Sequence, residues 1–221
     1  MELIRNAFLH GGAIMYIIAF FGFAVVGLFV WRFYILFFTF DTPNPAGMWA
    51  EIYKMITNNQ IESAIRICEK CPRRQIMPRV LKKGLQSASR SSTETAYAIE
   101  SATAERLPLC ARYLTWFGTI ANITTLLGLL GTISGLISSF EAVASLSGAA
   151  KQQELAKGIS HALFATGFGL GVALVAMLFH GILSGKANKV QDQTLEFASK
   201  ILELLQLRRA NLVSKSSSSG E

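Results

Sequence analysis

Three stretches of the chain lack Asp, Glu, Lys and Arg altogether: residues 11 to 31, 113 to 140 and 158 to 185. Each exceeds the about 20 residues that a helix needs to cross roughly 30 Å of hydrocarbon. The first continues through Phe33 to Phe40 with Arg32 as its only charge. That is longer than a signal-peptide core and no small-x-small pattern closes it, so it reads as a retained membrane helix. Arg32 is expected to extend its charge toward the headgroups. Asp41-Thr-Pro-Asn-Pro45 is expected to stop the helix.

Between Met48 and Arg112 the pattern changes to that of shorter amphipathic helices. Trp49, Ile52, Met55 and Ile56 form one apolar stripe, Ile61, Ile65 and Cys68 a second before Pro72, and Met77, Leu81 and Leu85 a third. Ser91-Ser-Thr-Glu94 has the form of a helix start. Few large apolar groups in so short a segment make it marginal alone, so it is expected to pack on extensions of the spans and on neighbouring subunits. From Asn188 to Leu212, Val190, Leu195, Phe197, Ile201, Leu204, Leu205 and Leu212 predict an amphipathic helix continuous with the third span. At the start, Leu3, Ile4, Ala7 and Phe8 predict a small interfacial helix.

The predicted fold is therefore an all-α membrane protein with three transmembrane helices, long cytoplasmic extensions and a helical cytoplasmic domain. Its parts are an interfacial helix over 1–12, spans over 13–40, 113–140 and 158–185, a helical region over 41–112, an outward loop over 141–157, a C-terminal helix over 186–212 and a disordered polar tail over 213–221.

Composition agrees with this picture. Only 16% of the 221 residues are charged and 51% are apolar, against about 25% charged in soluble domains, which makes lipid part of the solvent. The net charge of +7 has a better explanation than nucleic acid. Eleven Lys or Arg lie between residues 41 and 112 and six follow Gly185, whereas 141–157 holds two basic and two acidic residues. The positive-inside bias places 41–112 and the tail in the cytoplasm, and the N-terminus and the 141–157 loop outside.

Candidate chemistry is sparse. Cys68-Glu-Lys-Cys71 has the spacing of half a zinc site or a redox pair, with no second pair to complete it, and Cys68, Cys71 and Cys110 all fall on the reducing side. The chain holds no Gly-Lys-Ser/Thr phosphate loop, no HExxH motif and no nucleophile–base set, and His10, His161 and His180 are dispersed. No enzymatic activity, cofactor or metal is expected. Hydroxyls are more informative: Thr125, Thr132 and Ser139 recur at intervals of seven and so share a face of the second span. On the third, Thr166 shares a face with Ala162, Gly169 and Ala173, and Gly158, Ala162, Ala165 and Gly169 make a strip of small residues.

Two readings stand. Small residues and hydroxyls serve helix packing, or Thr125, Thr132 and Thr166 line a polar seam that orders water or coordinates a cation. Neither long helix carries a mid-membrane Asp or Glu, and threonine cannot titrate near neutral pH, so coupled proton movement needs a carboxylate from another chain. His161 is either a neutral hydrogen-bonded interface residue or a relay.

LLGLLGTISGLISSF over 126–140 and LAKGISHALFATGFGLGVAL over 155–174 resemble the ExbB, TolQ and MotA superfamily of ion-driven motor subunits, most nearly its three-span ExbB/TolQ branch. The resemblance extends over about residues 10 to 205 and is specific at the two motifs. It implies a homopentamer around a dimer of a single-span ExbD-, TolR- or MotB-like protein whose membrane aspartate is protonated and released. It further implies a bacterial inner-membrane protein with a periplasmic N-terminus and cytoplasmic C-terminus, proton flow coupled to mechanical work, and a TonB- or TolA-like effector spanning the periplasm. Thr132 and Thr166 match the family threonines that would face the partner aspartate. Glu105 matches the acidic residue before the second span, with Arg112 as its neighbour in a cytoplasmic polar network. The chain departs from the family pattern where His161 replaces a glutamate, Thr125 a proline, and Ala173-Leu174-Val175 an Ala-Ile-Pro. A sodium-driven or flagellar-type stator and a non-conducting scaffold stay open as alternatives.

Overall fold

A computed structural model describes residues 12–72, 74–144 and 147–218, with side chains over 14–72, 74–144 and 147–211. Residues 1–11 of the expected interfacial helix lie outside that range. Every regular element among the described residues is helical: α1 (Gly12–Tyr34) running into a π-helical turn (Ile35–Phe40), α2 (Pro45–Thr57), α3 (Ile61–Lys70), α4 (Ile76–Gln86), α5 (Ser92–Arg106), a single turn α6 (Pro108–Ala111), α7 (Thr115–Ala144) and α8 (Ala149–Ser218). Three helical stretches are long and apolar enough to cross a membrane, those containing α1, α7 and α8. At 1.5 Å per residue α1 is about 34 Å long, α7 about 45 Å and α8 about 105 Å.

The breaks between helices follow from local chemistry. Asp41 ends the π-helical turn in an extended conformation, and Asn44 caps α2, its side-chain oxygen accepting from the Gly47 amide at 2.9 Å with Pro45 in the first turn. Cys71, held extended by the following Pro72, ends α3. The Ser91 hydroxyl accepts from the Glu94 amide at 3.2 Å to open α5, as its sequence predicts. Tyr113 has φ +68° just before α7 and Gly148 φ +64° just before α8.

Helix bounds differ from the predicted ones at one connection. Much of the stretch read as an outward loop is helical, because α7 runs on to Ala144 and α8 begins at Ala149. Ala-Ala-Lys-Gln-Gln-Glu-Leu-Ala-Lys over 149–157 consists almost wholly of strong helix formers. The backbone of α8 is helical to Ser218, past the start of the tail expected to be disordered.

Two compact units are evident, one from Met1–Arg32 with Tyr113–Leu183, the other from Phe33–Arg112 with Ser184–Glu221. In the second, Ile52, Ile56, Cys68, Met77, Leu81, Leu85 and Ile99 are buried with Phe197, Ile201 and Leu205 of α8. The short helices thus complete their core with the last helix, as their small apolar content requires. Each fully buried Leu or Ile there contributes about 1.5–3 kcal/mol. Lys186 of α8 forms an ion pair with Asp41 at the end of the π-helical turn, both side chains being mostly buried. The same ammonium lies 5.1 Å from the centre of the Phe37 ring, a cation–π distance.

Candidate functional site

Within the first unit α7 and α8 pack through their small residues. A Cβ placed on Gly128 would lie 3.1 Å from the Thr166 Cα, one on Gly131 2.7 Å from the Ala165 Cβ, and one on Gly135 3.1 Å from the Ala162 Cβ. Seen from α8, a Cβ on Gly169 would lie 2.6 Å from the Thr124 carbonyl oxygen and 3.1 Å from the Gly128 Cα. Backbones this close exclude larger side chains, and dispersion and short polar contacts replace the hydrophobic drive that lipid does not supply. Ser139 and Gly158 meet further along the same seam.

The Thr166 hydroxyl lies in this seam and donates to the Gly128 carbonyl at 2.8 Å. It is half-buried, and its oxygen keeps lone pairs with which to accept. Thr132 is also half-buried, its hydroxyl donating to Leu129 in its own helix at 2.6 Å. Thr125 is exposed and donates to the Ala121 carbonyl at 2.9 Å, while Ser139 is buried and donates to Gly135 at 2.6 Å. The seven-residue row therefore turns gradually from an open face at Thr125 into the seam at Ser139, as expected when a 3.6-residue helix drifts about 20° per heptad. No hydrogen bond among the described residues joins Thr125, Thr132 and Thr166 to one another. His161 is half-buried on α8.

One seam residue is absent from the hydroxyl row. Thr124 is 0% exposed and donates to the Ile120 and Ala121 carbonyls at 3.0 Å, while its own carbonyl faces Gly169. Its signal in the sequence is the row Thr124, Gly128, Gly131, Gly135, Ser139 at intervals of four, three, four and four, which matches the small strip of α8. Beyond the seam, Leu126, Leu129, Leu130, Ile133 and Ile137 are exposed on α7 and Leu163, Leu170 and Leu174 on α8. Gly167 and Gly171 have open space where a side chain would stand.

Arg32 is 2% exposed rather than extended outward. Glu105 is exposed and pairs with its neighbour Arg106 at 3.5 Å. The thiols of α3 are shielded: burial pushes Cys68 from 9.0 up to about 12, and the half-buried Cys71 is also raised by burial. A raised pKa keeps a thiol protonated and unreactive. Native Cys68 should therefore resist alkylation by iodoacetamide at pH 8, and react rapidly once the chain is unfolded; fast labelling of the folded protein would contradict this. Because its folded pKa is the higher one, the stability that Cys68 contributes is complete below about pH 9.0 and is lost as pH rises toward about 12.

A small-residue helix pair with a few inward hydroxyls and broad apolar outer faces, beside a third long apolar helix, defines an all-helical membrane protein of several spans. The chain belongs to the MotA/TolQ/ExbB proton channel family, whose model matches residues 72–196. It is 38% identical over 123 residues to the biopolymer transport protein ExbB-like 3 of Synechocystis sp., covering 53% of this chain and 59% of that protein. The Tol-Pal system protein TolQ of Haemophilus influenzae is 34% identical over 92 residues, 41% of this chain and 39% of its own length. Biopolymer transport protein exbB1 of Vibrio cholerae is 37% identical over 95 residues, 42% and 40% of the two lengths. The matched regions thus span between 39 and 59% of these relatives. Thr125, Thr132, His161, Thr166, Glu105 and Arg112 all fall inside the family match.

Proposed function

We propose that the chain is the multi-span subunit of an inner-membrane motor that couples proton flow to mechanical work in a bacterial envelope. In this reading a homopentamer encloses a dimer of a single-span, ExbD- or TolR-like partner that supplies the membrane aspartate. The N-terminus is periplasmic and the C-terminus cytoplasmic. The observation that carries the reading is the α7–α8 pair itself: Thr166 lies in the seam between two helices, Thr132 stands half-buried on the adjoining surface, and the apolar runs 113–140 and 158–185 hold no Asp or Glu to titrate.

The hydroxyl geometry refines the chemistry. With its proton committed to Gly128, Thr166 is set to accept a hydrogen bond from a protonated carboxyl. To donate to a charged carboxylate it must rotate about χ1 and release the Gly128 carbonyl, which keeps its helical bond. Thr132, bonded to Leu129, faces the same choice. Protonation removes most of the desolvation cost of moving the acid past apolar Leu129 and Leu136. Across 100 mV one charge supplies about 2.3 kcal/mol, enough to bias a small rotational step.

Reconstitution into liposomes with and without the single-span partner tests this. Flux is expected only when both are present, and replacing the partner's membrane aspartate with asparagine should abolish it. Imposing a pH gradient or a sodium gradient separates the two ions. Absence of either flux with the partner bound would favour a scaffold.

A further inference from the structure

We propose that the recess between α4 and α5 binds a phosphate-bearing anion. Its construction begins with Gly84: a Cβ there would lie 2.9 Å from the Ile99 side chain, so the glycine lets the two helices close on each other. Leu81, Leu85, Ile99 and Ala102 are buried along that contact. The polar face of α4, with Arg79, Lys82 and Lys83 at spacings of three and one, is left beside the last turn of α5, and together with Arg106 and Glu105 they line a recess of about 330 Å³. An adjoining groove of about 590 Å³ shares Lys83 and Glu105 and adds Arg90 and Glu94.

Charge is unbalanced here. Five cations line the two cavities against two carboxylates. Lys82 is paired with Glu69 at 2.9 Å and Arg106 with Glu105 at 3.5 Å, whereas no ion pair is described for Arg79, Lys83 or Arg90 among the described residues. The Lys82 and Arg106 side chains are mostly covered, at 20% and 34% exposure, so their charges are held in place rather than spread through solvent. A guanidinium fork beside compact ammonium groups is the arrangement that phosphate oxygens satisfy. The recess has the volume of a small-molecule site, about 300–1,000 Å³, and is too small to seat a helix of another protein. A soluble phosphate compound and the headgroup of an anionic lipid offer the same oxyanion.

The test uses the full chain in phosphatidylcholine nanodiscs, titrated calorimetrically with inorganic pyrophosphate. Saturable binding is expected. Combining Arg79→Gln with Lys83→Gln should weaken it at least about tenfold, and Lys54→Gln, at an exposed position of α2 outside the recess, by less than about twofold. In the unaltered protein, pyrophosphate should also slow acetylation of Lys83 and leave that of Lys54 unchanged, a readout that needs no variant to fold. Protection of Lys83 in phosphatidylglycerol nanodiscs without pyrophosphate assigns the headgroup, and protection only on adding pyrophosphate assigns a soluble ligand. Absence of saturable binding, or equal effects at Lys54 and Lys83, overturns the proposal.

Discussion

Gly169→Leu is expected to strain the contact between α7 and α8 and to lower the thermal unfolding midpoint of the purified protein. The position has no slack: its missing Cβ would meet the Thr124 carbonyl oxygen at 2.6 Å and the Gly128 Cα at 3.1 Å, and both are backbone atoms that cannot rotate away. Overpacking of this kind costs about 1–3 kcal/mol and occasionally more. Forcing the helices apart also breaks the Thr166–Gly128 bond, worth about 0.6 and at most about 1.7 kcal/mol. A combined loss of about 3 kcal/mol should lower the unfolding midpoint by roughly 6–12 °C at this chain length. Gly167→Leu is the control, because nothing lies within 4 Å of that position and both changes remove the same helix-weakening glycine. If the two variants melt together, the seam is not where α7 and α8 meet.

Thr166→Val should leave the helix pair assembled and lower ion flux with the partner by about ten- to a hundredfold, the cost of losing one hydrogen bond to a charged group. Valine keeps the shape of threonine and deletes only the hydroxyl. The structural consequence is therefore confined to the bond to Gly128, while the functional one includes every state in which the carboxylate needs that donor. Thr166→Ser restores a hydroxyl and should restore most of the flux. A variant that melts slightly earlier but conducts as the unaltered protein does would reduce Thr166 to packing.

The three apolar helices were legible because an uncharged window longer than a bilayer has few other uses. The short-helix stripes were legible too, since Ile52, Ile56, Cys68, Leu81 and Leu85 repeat with helical spacing and bury themselves together. The seam was only half legible. A single helix shows which of its residues are small but not which face meets another helix, so the row at intervals of seven drew attention to Thr125 and left Thr124 and Gly128 unremarked. Pairings across long chain separations were illegible for the same reason: nothing in the sequence couples Asp41 to Lys186, and a lone Arg32 in an apolar run reads as a surface charge until its burial is seen. The helical character of 149–157 was not legible because charge ends an apolar run without ending a helix: Lys, Gln and Glu sustain helix as well as they suit water.

The proposed motor turns on Thr132 and Thr166 facing an acid carried by a foreign helix. A near-atomic structure of the chain purified with its single-span partner measures this directly. A ring of these subunits around partner helices is expected, with the partner's carboxyl within hydrogen-bond reach of both threonine hydroxyls. Threonines directed into lipid, around a ring with no helix through its centre, would contradict it.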